Sequence, residues 1–220
     1  MNKPFPVSKL TAEQPPLKVR GSLLRRDDIT ASAVHVIGHL NARGNVTAAE
    51  LKVSGECRIA GRCTAARTEN LGSLRVRSLQ AEHIKSAGYL SAAEAIHTLT
   101  FFAEGAVRVH SLFSAESLEI RLSSSCTADQ LQSNGTLTVK RASRIFNALM
   151  GPLRKLNCRY IHGDMVDLEH TAARLVSGKD IVIGPGCEIQ EIRYSASLKV
   201  DGNAKVGAAI FTLEPEGPAL

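Results

Sequence analysis

Between residues 34 and 140, apolar residues recur in pairs at positions i and i+2, and this period of two constrains the fold more than any other feature. We call these apolar positions anchors, and the interval from one anchor to the next is mostly five or six residues. A β-sandwich has a turn signal about every 8–12 residues, so this interval is too short for one. The pattern predicts half-buried strands that are short and closely repeated. The clearest pairs are Leu51 and Val53, Cys57 and Ile59, Leu74 and Val76, Val107 and Val109, Leu118 and Ile120, and Leu137 and Val139.

A longer repeat indicates how these strands are arranged. The segment from Leu74 to Leu79 resembles the segment from Val107 to Leu112. If one coil holds three short strands, the offset between the two segments corresponds to two coils of a β-solenoid, stacked about 4.8 Å apart. Aromatic residues make up only 4% of the chain and Trp is absent, which suits a narrow interior filled with small apolar side chains. We therefore predict an all-β fold, a β-helix.

Composition divides the chain into five parts. The N-terminal part is rich in Pro and charge, which predicts a flexible arm. Apolar residues at helical spacing interrupt the β pattern once, around a Gly-Pro pair, and this predicts a short helix or loop insertion. The predicted parts are an arm over 1–30, β-helix repeats over 31–142, the insertion over 143–158, further β-helix coils over 159–212 and a frayed tail over 213–220.

The cysteines and the hydropathy of the sequence predict the cellular compartment of the protein. Five Cys are present, no secretory signal is apparent near the first residue, and no run of apolar residues approaches the length of a membrane-spanning helix. We therefore expect a cytoplasmic protein with reduced thiols. Its net charge of +6 is dispersed, which is compatible with a solvated surface or with association at an anionic membrane surface.

The cadence of strand, Gly, strand, Gly over Leu51–Gly61 resembles the bactofilin family of bacterial cytoskeletal proteins. The C-terminal stretches Ile161–Gly178, Ile181–Ile189 and Tyr194–Asp201 resemble the ending of a cytosolic bactofilin-like subgroup with an additional β segment. The resemblance covers roughly residues 30 to 210. It implies a right-handed β-helix that polymerises through its end coils without nucleotide. It also implies a scaffold role in cell shape, in motility or in placing envelope proteins, with the chain itself or a sister bactofilin as partner.

Two sets of residues are candidates for these contacts. Apolar anchors near the two ends of the repeat are predicted to form the polymer interface: Ile37, Leu40 and Val46 at the first coil, and Leu198, Val200, Val206 and Phe211 at the last. Outward cations form either a solvated surface that discourages sheet pairing or a basic face for an anionic partner. The candidates for that face are Arg75, Arg77, Arg108 and Arg121.

Some residues are compatible with other functions. Ile183–Ile189 looks like one hexapeptide repeat of a left-handed β-helix acyltransferase, with His162 and His170 upstream, but the strict hexad occurs once. A non-polymerising adaptor with a basic face is the other alternative. We expect no catalytic residues and no cofactor.

Metal and nucleic-acid sites are not expected either. Cys158, His162, His170 and Cys187 do not have the usual spacing of a zinc site. Asp164, Asp167 and Glu169 alternate with apolar residues, so they are predicted to face solvent. Neither a phosphate-binding loop nor a dinucleotide fingerprint occurs, and basic residues are not interleaved with aromatic ones, so nucleic acid is not an expected partner.

Overall fold

The computed structural model describes residues 14–142 and 154–213, and every regular element within them is a β-strand. The strands are β1 Leu17–Val19, β2 Ser22–Arg25, β3 Ile29–Val36, β4 His39–Ala42, β5 Val46–Val53, β6 Glu56–Asn70, β7 Ser73–Ser86, β8 Tyr89–Glu104, β9 Ala106–Leu122, β10 Cys126–Arg141, β11 Leu156–Leu168, β12 Thr171–Ile183, β13 Glu188–Val200 and β14 Lys205–Phe211.

All strand pairs in the described residues are parallel, and each coil stacks on the one before it. Cys57 aligns with Leu74, Leu74 with Leu90, and Leu90 with Val107, so the chain completes one coil between each of these positions and the next. The offset between Leu74 and Val107 is therefore two coils, as the sequence repeat predicts. The chain is a parallel β-solenoid of about 11 turns.

Each coil has three sides, which β6 illustrates in a single long strand. We call residues 56–59 and their aligned neighbours side 1, residues 63–65 and their neighbours side 2, and residues 67–70 and their neighbours side 3. Side chains alternate between the interior and solvent along each side, because successive residues of a strand point to opposite faces. The same three sides recur from coil to coil as far as β13, and β14 adds sides 1 and 2.

The core is a set of continuous apolar columns inside the coils. One column on side 2 runs Ile29, Val46, Cys63, Leu79, Ile96, Leu112, Leu131, Ile161, Val176 and Ile192, in register from coil to coil. The predicted inward positions of Cys57, Cys63 and Cys126 are confirmed, since all three are buried. Phe101 is the one aromatic residue among the largest fully buried side chains of the described chain, which accounts for the low aromatic content.

Stacked glycines form the corner between side 3 and side 1. A Cβ added to Gly55 would lie 2.1 Å from the carbonyl oxygen of Gly38, and one added to Gly72 would lie 2.1 Å from that of Gly55. Consecutive corners therefore approach too closely for any side chain. The column consists of Gly21, Gly38, Gly55, Gly72, Gly88 and Gly105.

The solenoid begins earlier than the sequence pattern predicts. Residues 17–30, assigned to the arm, contribute a first coil in which β1 pairs with β3 and β2 pairs with β4. Its few apolar residues stand among Pro and charged residues, so their alternation is hard to recognise in the sequence. The first part of the predicted arm, residues 1–13, lies outside the described residues.

The coils continue in register across the predicted insertion. Cys126 aligns with Leu156, so β11 stacks directly on β10 although the chain between the two positions is longer than in the preceding coils. The predicted helix or loop falls mainly on 143–153, outside the described residues, whereas residues 156–158 of the predicted insertion already belong to β11. The further coils over 159–212 are thus part of the same solenoid. In the predicted tail only Leu213 is described, and it is exposed.

Candidate self-association surface at the C-terminal end

The last coil of the solenoid has one edge without a strand partner. Residues 197–200 of β13 pair with β12 alone, and β14 pairs with β13 alone, within the described part of the chain. Within residues 14–142 and 154–213, no strand pairs with the N–H and C=O groups along this outer edge. Such an edge is a template for pairing with a second chain.

Apolar side chains are exposed at this same end. Val200 continues the interior column of Ile183, but Val200 is 46% exposed whereas Ile183 is 1% exposed. Leu198 and Val206 are half-buried, and Phe211 is 57% exposed. The interior columns of the solenoid thus end in an uncovered apolar surface. We define the C-terminal cap surface as Leu198, Val200, Val206 and Phe211.

An aromatic pair stands at one corner of this surface. The corner between side 2 and side 3 holds small residues in the preceding coils, including Gly163 and Gly178, and then Tyr194 and Phe211 in the last two. The rings of Tyr194 and Phe211 meet edge to face, with centroids 5.6 Å apart. This geometry is favourable between aromatic rings and fixes the orientation of Phe211.

The N-terminal end has a different character. Its interior residues Val19 and Ile29 are only 4% and 8% exposed. Exposed cations lie on this coil instead, and none of them makes an ion pair with another described residue. We define the basic N-terminal coil by these cations, Lys18, Arg20, Arg25 and Arg26.

The seven residues predicted to form the polymer interface differ in their position and exposure in the structure. The four C-terminal ones form the C-terminal cap surface. Leu40 and Val46 are buried in the second coil, because Leu23 and Ile29 of the first coil align with them. Their assignment to an end is therefore wrong. Ile37 is exposed at the corner of the second coil, beside the first.

The four predicted basic residues do not lie on one face. Arg75 and Arg108 share a column on side 1, whereas Arg121 aligns with Glu104 on side 3. Three of the four pair with carboxylates: Arg75 with Glu56 at 3.2 Å, Arg77 with Glu94 at 2.6 Å and Arg121 with Glu119 at 2.8 Å. A group of cations without such partners lies on the basic N-terminal coil instead.

The residues of the hexapeptide and zinc alternatives are spread over the solenoid. The His162 Nδ1 atom on side 2 lies 2.8 Å from the Ser177 hydroxyl, and burial lowers the pKa of this imidazole. His170 occupies a corner with φ of 45°, against Gly186 of the next coil. Burial lowers the pKa of the His170 imidazole too. The structure thus does not bring the two histidines together.

The cysteines are buried thiols within the coils. Burial raises the pKa of the Cys57 and Cys158 thiols to about 12, and it raises the pKa of Cys187 as well. Among the described residues, no three His, Cys, Asp or Glu side chains are grouped so as to hold a metal ion.

Two of the three acidic residues near His162 have cationic partners. Asp164 pairs with Lys179 at 3.2 Å and Asp167 with Lys140 at 2.7 Å. The third, Glu169, accepts a hydrogen bond from the backbone N–H of Arg141. These carboxylates link adjacent coils.

Two further signals of this fold are present in the sequence. Glycines at nearly equal intervals, from Gly21 to Gly105, mark one corner of each coil and would have placed the first coil correctly. A second corner is linked by polar side chains. The Asp28 carboxylate accepts a hydrogen bond from the Asn45 backbone N–H, and the Asn45 side-chain amide oxygen accepts one from the Arg62 backbone N–H. The bonds from Asn45 lower the pKa of the Asp28 carboxyl.

Among the described residues, no helix has the length and apolar character needed to cross a bilayer.

Comparisons with known proteins give two partial relatives. The chain is 39% identical over 90 residues to the uncharacterized protein YhbF of Bacillus subtilis (strain 168), which covers 40% of this chain and 37% of that protein. It is 36% identical over 55 residues to the uncharacterized protein YhbE of the same strain, which covers 25% of this chain and 23% of that one. The chain thus spans 37% and 23% of the length of these two curated relatives. No family model matches the chain, and no solved structure matches it.

Proposed function

We propose that this chain is a non-enzymatic, bactofilin-like scaffold that self-associates through its end coils without nucleotide. The observation that carries the proposal is the C-terminal cap surface, where the interior columns end uncovered beside an unpaired strand edge. A solenoid coil buries its interior only against neighbouring coils, so an end without a polar cover is stabilised by contact with another copy.

The chemistry of the two ends favours contact between two C-terminal ends. Fully burying a Val, Leu or Phe side chain stabilises a protein or complex by about 1.5–3 kcal/mol. The four residues of the C-terminal cap surface are only partly buried, so covering them in an interface gains a substantial part of that free energy. Pairing two such surfaces covers both. A contact between a C-terminal and an N-terminal end would instead cover an apolar surface with a coil that carries four cations.

A scaffold of this kind would place other proteins at the cell envelope or in machinery for cell shape or motility, as the resemblance to bactofilins implies. In a dimer joined at its C-terminal ends, the basic N-terminal coils point outward. Their unpaired cations suit an anionic partner, such as a membrane surface or an acidic protein. A sister protein with a matching end coil is a further partner of the same kind.

Acidic substitutions at the C-terminal cap surface test the proposal. Val200→Asp and Phe211→Asp place a carboxylate where two copies would meet, and burying an unpaired charge is strongly unfavourable. We expect the wild type to be larger than a monomer by light scattering without nucleotide, and to form elongated particles in negative-stain micrographs. Both variants should be monomers at low salt.

The matched control is Leu71→Asp. Leu71 is also an exposed apolar residue, 50% exposed, but it lies at a corner in the middle of the solenoid. This variant should assemble like the wild type. A monomeric wild type, or equal dispersal by Leu71→Asp, would contradict the proposal. Specific binding of an acyl-coenzyme A to the purified protein would support the acyltransferase alternative instead.

A further inference from the structure

Side 2 carries a long uncharged strip along the middle of the solenoid. In six consecutive coils, each strand on this side has one buried apolar residue between two residues on the outward face, and all of these outward residues except the buried Ser177 are at least partly exposed. Counting His as neutral, none of these twelve outward residues carries a charge. We define the neutral strip by the six strand segments Ser78–Gln80, Ala95–His97, Ser111–Phe113, Gln130–Gln132, Tyr160–His162 and Leu175–Ser177.

Sides 1 and 3 differ sharply from this strip. Arg75 and Glu56 pair on side 1, while Lys140 and Asp167 pair on side 3. No ion pair of the described residues lies within the neutral strip. Outward charge is a common means of preventing sheets from packing side by side, so its absence from one side alone marks that side as one that tolerates contact.

The strip is also ordered by contacts between its own coils. The rings of His97 and Phe113 lie 6.1 Å apart, and His162 Nδ1 lies 2.8 Å from the Ser177 hydroxyl. Most of the twelve outward side chains are half-buried by their neighbours above and below. Side chains that are already held lose little conformational entropy when a partner covers them.

We propose that the neutral strip is the lateral contact between two copies of this chain, packed antiparallel. The net charge of +6 makes most side-to-side contacts between copies repulsive, whereas two neutral strips bring no like charges together. Charges bound the strip at its ends: Arg62 aligns with Ser78 at one end, and the ion pair of Glu191 and Arg193 aligns with Leu175 and Ser177 at the other. An antiparallel pair places Arg62 of one copy near this ion pair of the other, whereas a parallel pair places Arg62 near Arg62, which is repulsive.

The size of the strip indicates when the contact forms. Six coils at about 4.8 Å give a length of about 29 Å, and three residues of strand give a width of about 10 Å, or about 300 Å² in all. A stable interface buries about 800 Å² on each partner. One pair of strips is therefore weak alone and becomes effective when end-to-end assembly multiplies it. In this respect the proposal rests on the proposed function.

The first test is the width of the assemblies. Gln132→Glu adds a carboxylate near the centre of the strip, where an antiparallel pair brings two copies of the new charge close together. We expect wild-type assemblies to be bundled, and Gln132→Glu assemblies to be single and of unchanged length. The isosteric control Asn157→Asp, at an exposed position on side 1, should bundle like the wild type. Bundling of Gln132→Glu at the wild-type level would overturn the inference.

A second test does not depend on end-to-end assembly. The native cysteines are all buried, so Gln132→Cys adds an exposed thiol to a chain whose own thiols are shielded. In the Val200→Asp background at high protein concentration, a short bis-maleimide should link Gln132→Cys into covalent dimers, and should leave Gln190→Cys, at the corner between side 1 and side 2, monomeric. Dimers here with no end-to-end assembly of the wild type would refute the proposed function alone. Equal crosslinking of the two cysteine variants, or none in either, would refute the lateral contact.

Discussion

At the residue scale, the corner glycines illustrate how close stacking limits side chains. The backbone N–H groups of Leu71 and Gly72 both donate to the carbonyl oxygen of Val53, 2.7 and 3.1 Å away, which holds each corner against the one before it. A methyl group at Gly72 has no space unless this corner shifts. The limitation comes from the neighbouring coil, and the first glycine of the column does not share it.

We expect Gly72→Ala to destabilise the solenoid, since its Cβ would lie 2.1 Å from the carbonyl oxygen of Gly55. Overpacking of this kind costs about 1–3 kcal/mol. Gly21→Ala is the control, because a Cβ there meets nothing within 4 Å. Thermal unfolding followed by circular dichroism should show a lower midpoint for Gly72→Ala and little change for Gly21→Ala. An equal shift in both would mean that corner crowding is not the cause.

Particular residues show how far the sequence could predict this structure. The matching segments at Leu74 and Val107 predict the coil length, because identical positions in a stacked repeat face identical surroundings. Leu40 and Val46 were misplaced at an end because the first coil has few apolar residues to signal it. The exposure of Val200 was not predictable, since its apolar character is the same whether another coil covers it or not. Arg75 and Arg77 look unpaired in the sequence, since their acidic partners Glu56 and Glu94 are 19 and 17 residues away. The partner of Arg121 is Glu119, two residues away on the same face of the strand, so that pair is predictable.

At the element scale, β10 and β11 show that the stacking of coils depends on the alignment of their strands and not on the length of the chain between the strands. Leu122 aligns with Arg141 on one side of a corner, and Cys126 aligns with Leu156 on the other. The earlier coil crosses this corner with residues 123–125 alone. The later coil crosses the same distance with the much longer segment 142–155. The length of a corner is thus variable while the strands that it joins stay aligned.

Excision of residues 143–153 should therefore leave the fold intact. It leaves Ala142, Arg154 and Lys155 between Arg141 and Leu156, which matches the short corner of the preceding coil. We expect a far-ultraviolet circular dichroism spectrum and an unfolding midpoint close to those of the full chain. Removal of the same number of residues from 126–136 is the control, and should abolish the native spectrum because it breaks the register of β10. Loss of the native spectrum in the first variant would show that residues 143–153 are required for the fold.

At the scale of the whole molecule, the solenoid has two unlike ends and one unlike side. The C-terminal end offers apolar surface, the N-terminal end offers charge, and side 2 offers a neutral strip. The first coil, residues 17–31, carries four cations and two carboxylates, whereas residues 197–213 carry two cations and one carboxylate. Apolar contact at the C-terminal end is insensitive to charge screening, but approach of two N-terminal ends is opposed by charges that salt can screen.

This difference between the two ends predicts that assembly occurs in two steps, the first at low salt and the second at high salt. Raising the ionic strength from about 0.01 M to about 1 M shortens the Debye length from about 30 Å to about 3 Å. We expect dimers joined at their C-terminal ends at low salt, and longer particles at high salt as N-terminal ends come together. Light scattering and negative-stain microscopy measure the mass and the length of these particles.

The double variant Arg20→Gln, Arg25→Gln should form the longer particles already at low salt, because it removes half of the cations of the basic N-terminal coil. High salt also strengthens apolar contacts. Growth of the double variant at low salt therefore shows whether charge repulsion, and not weak apolar contact, limits the length of the wild-type particles. If the double variant stays at the wild-type size, repulsion between the N-terminal ends does not limit growth.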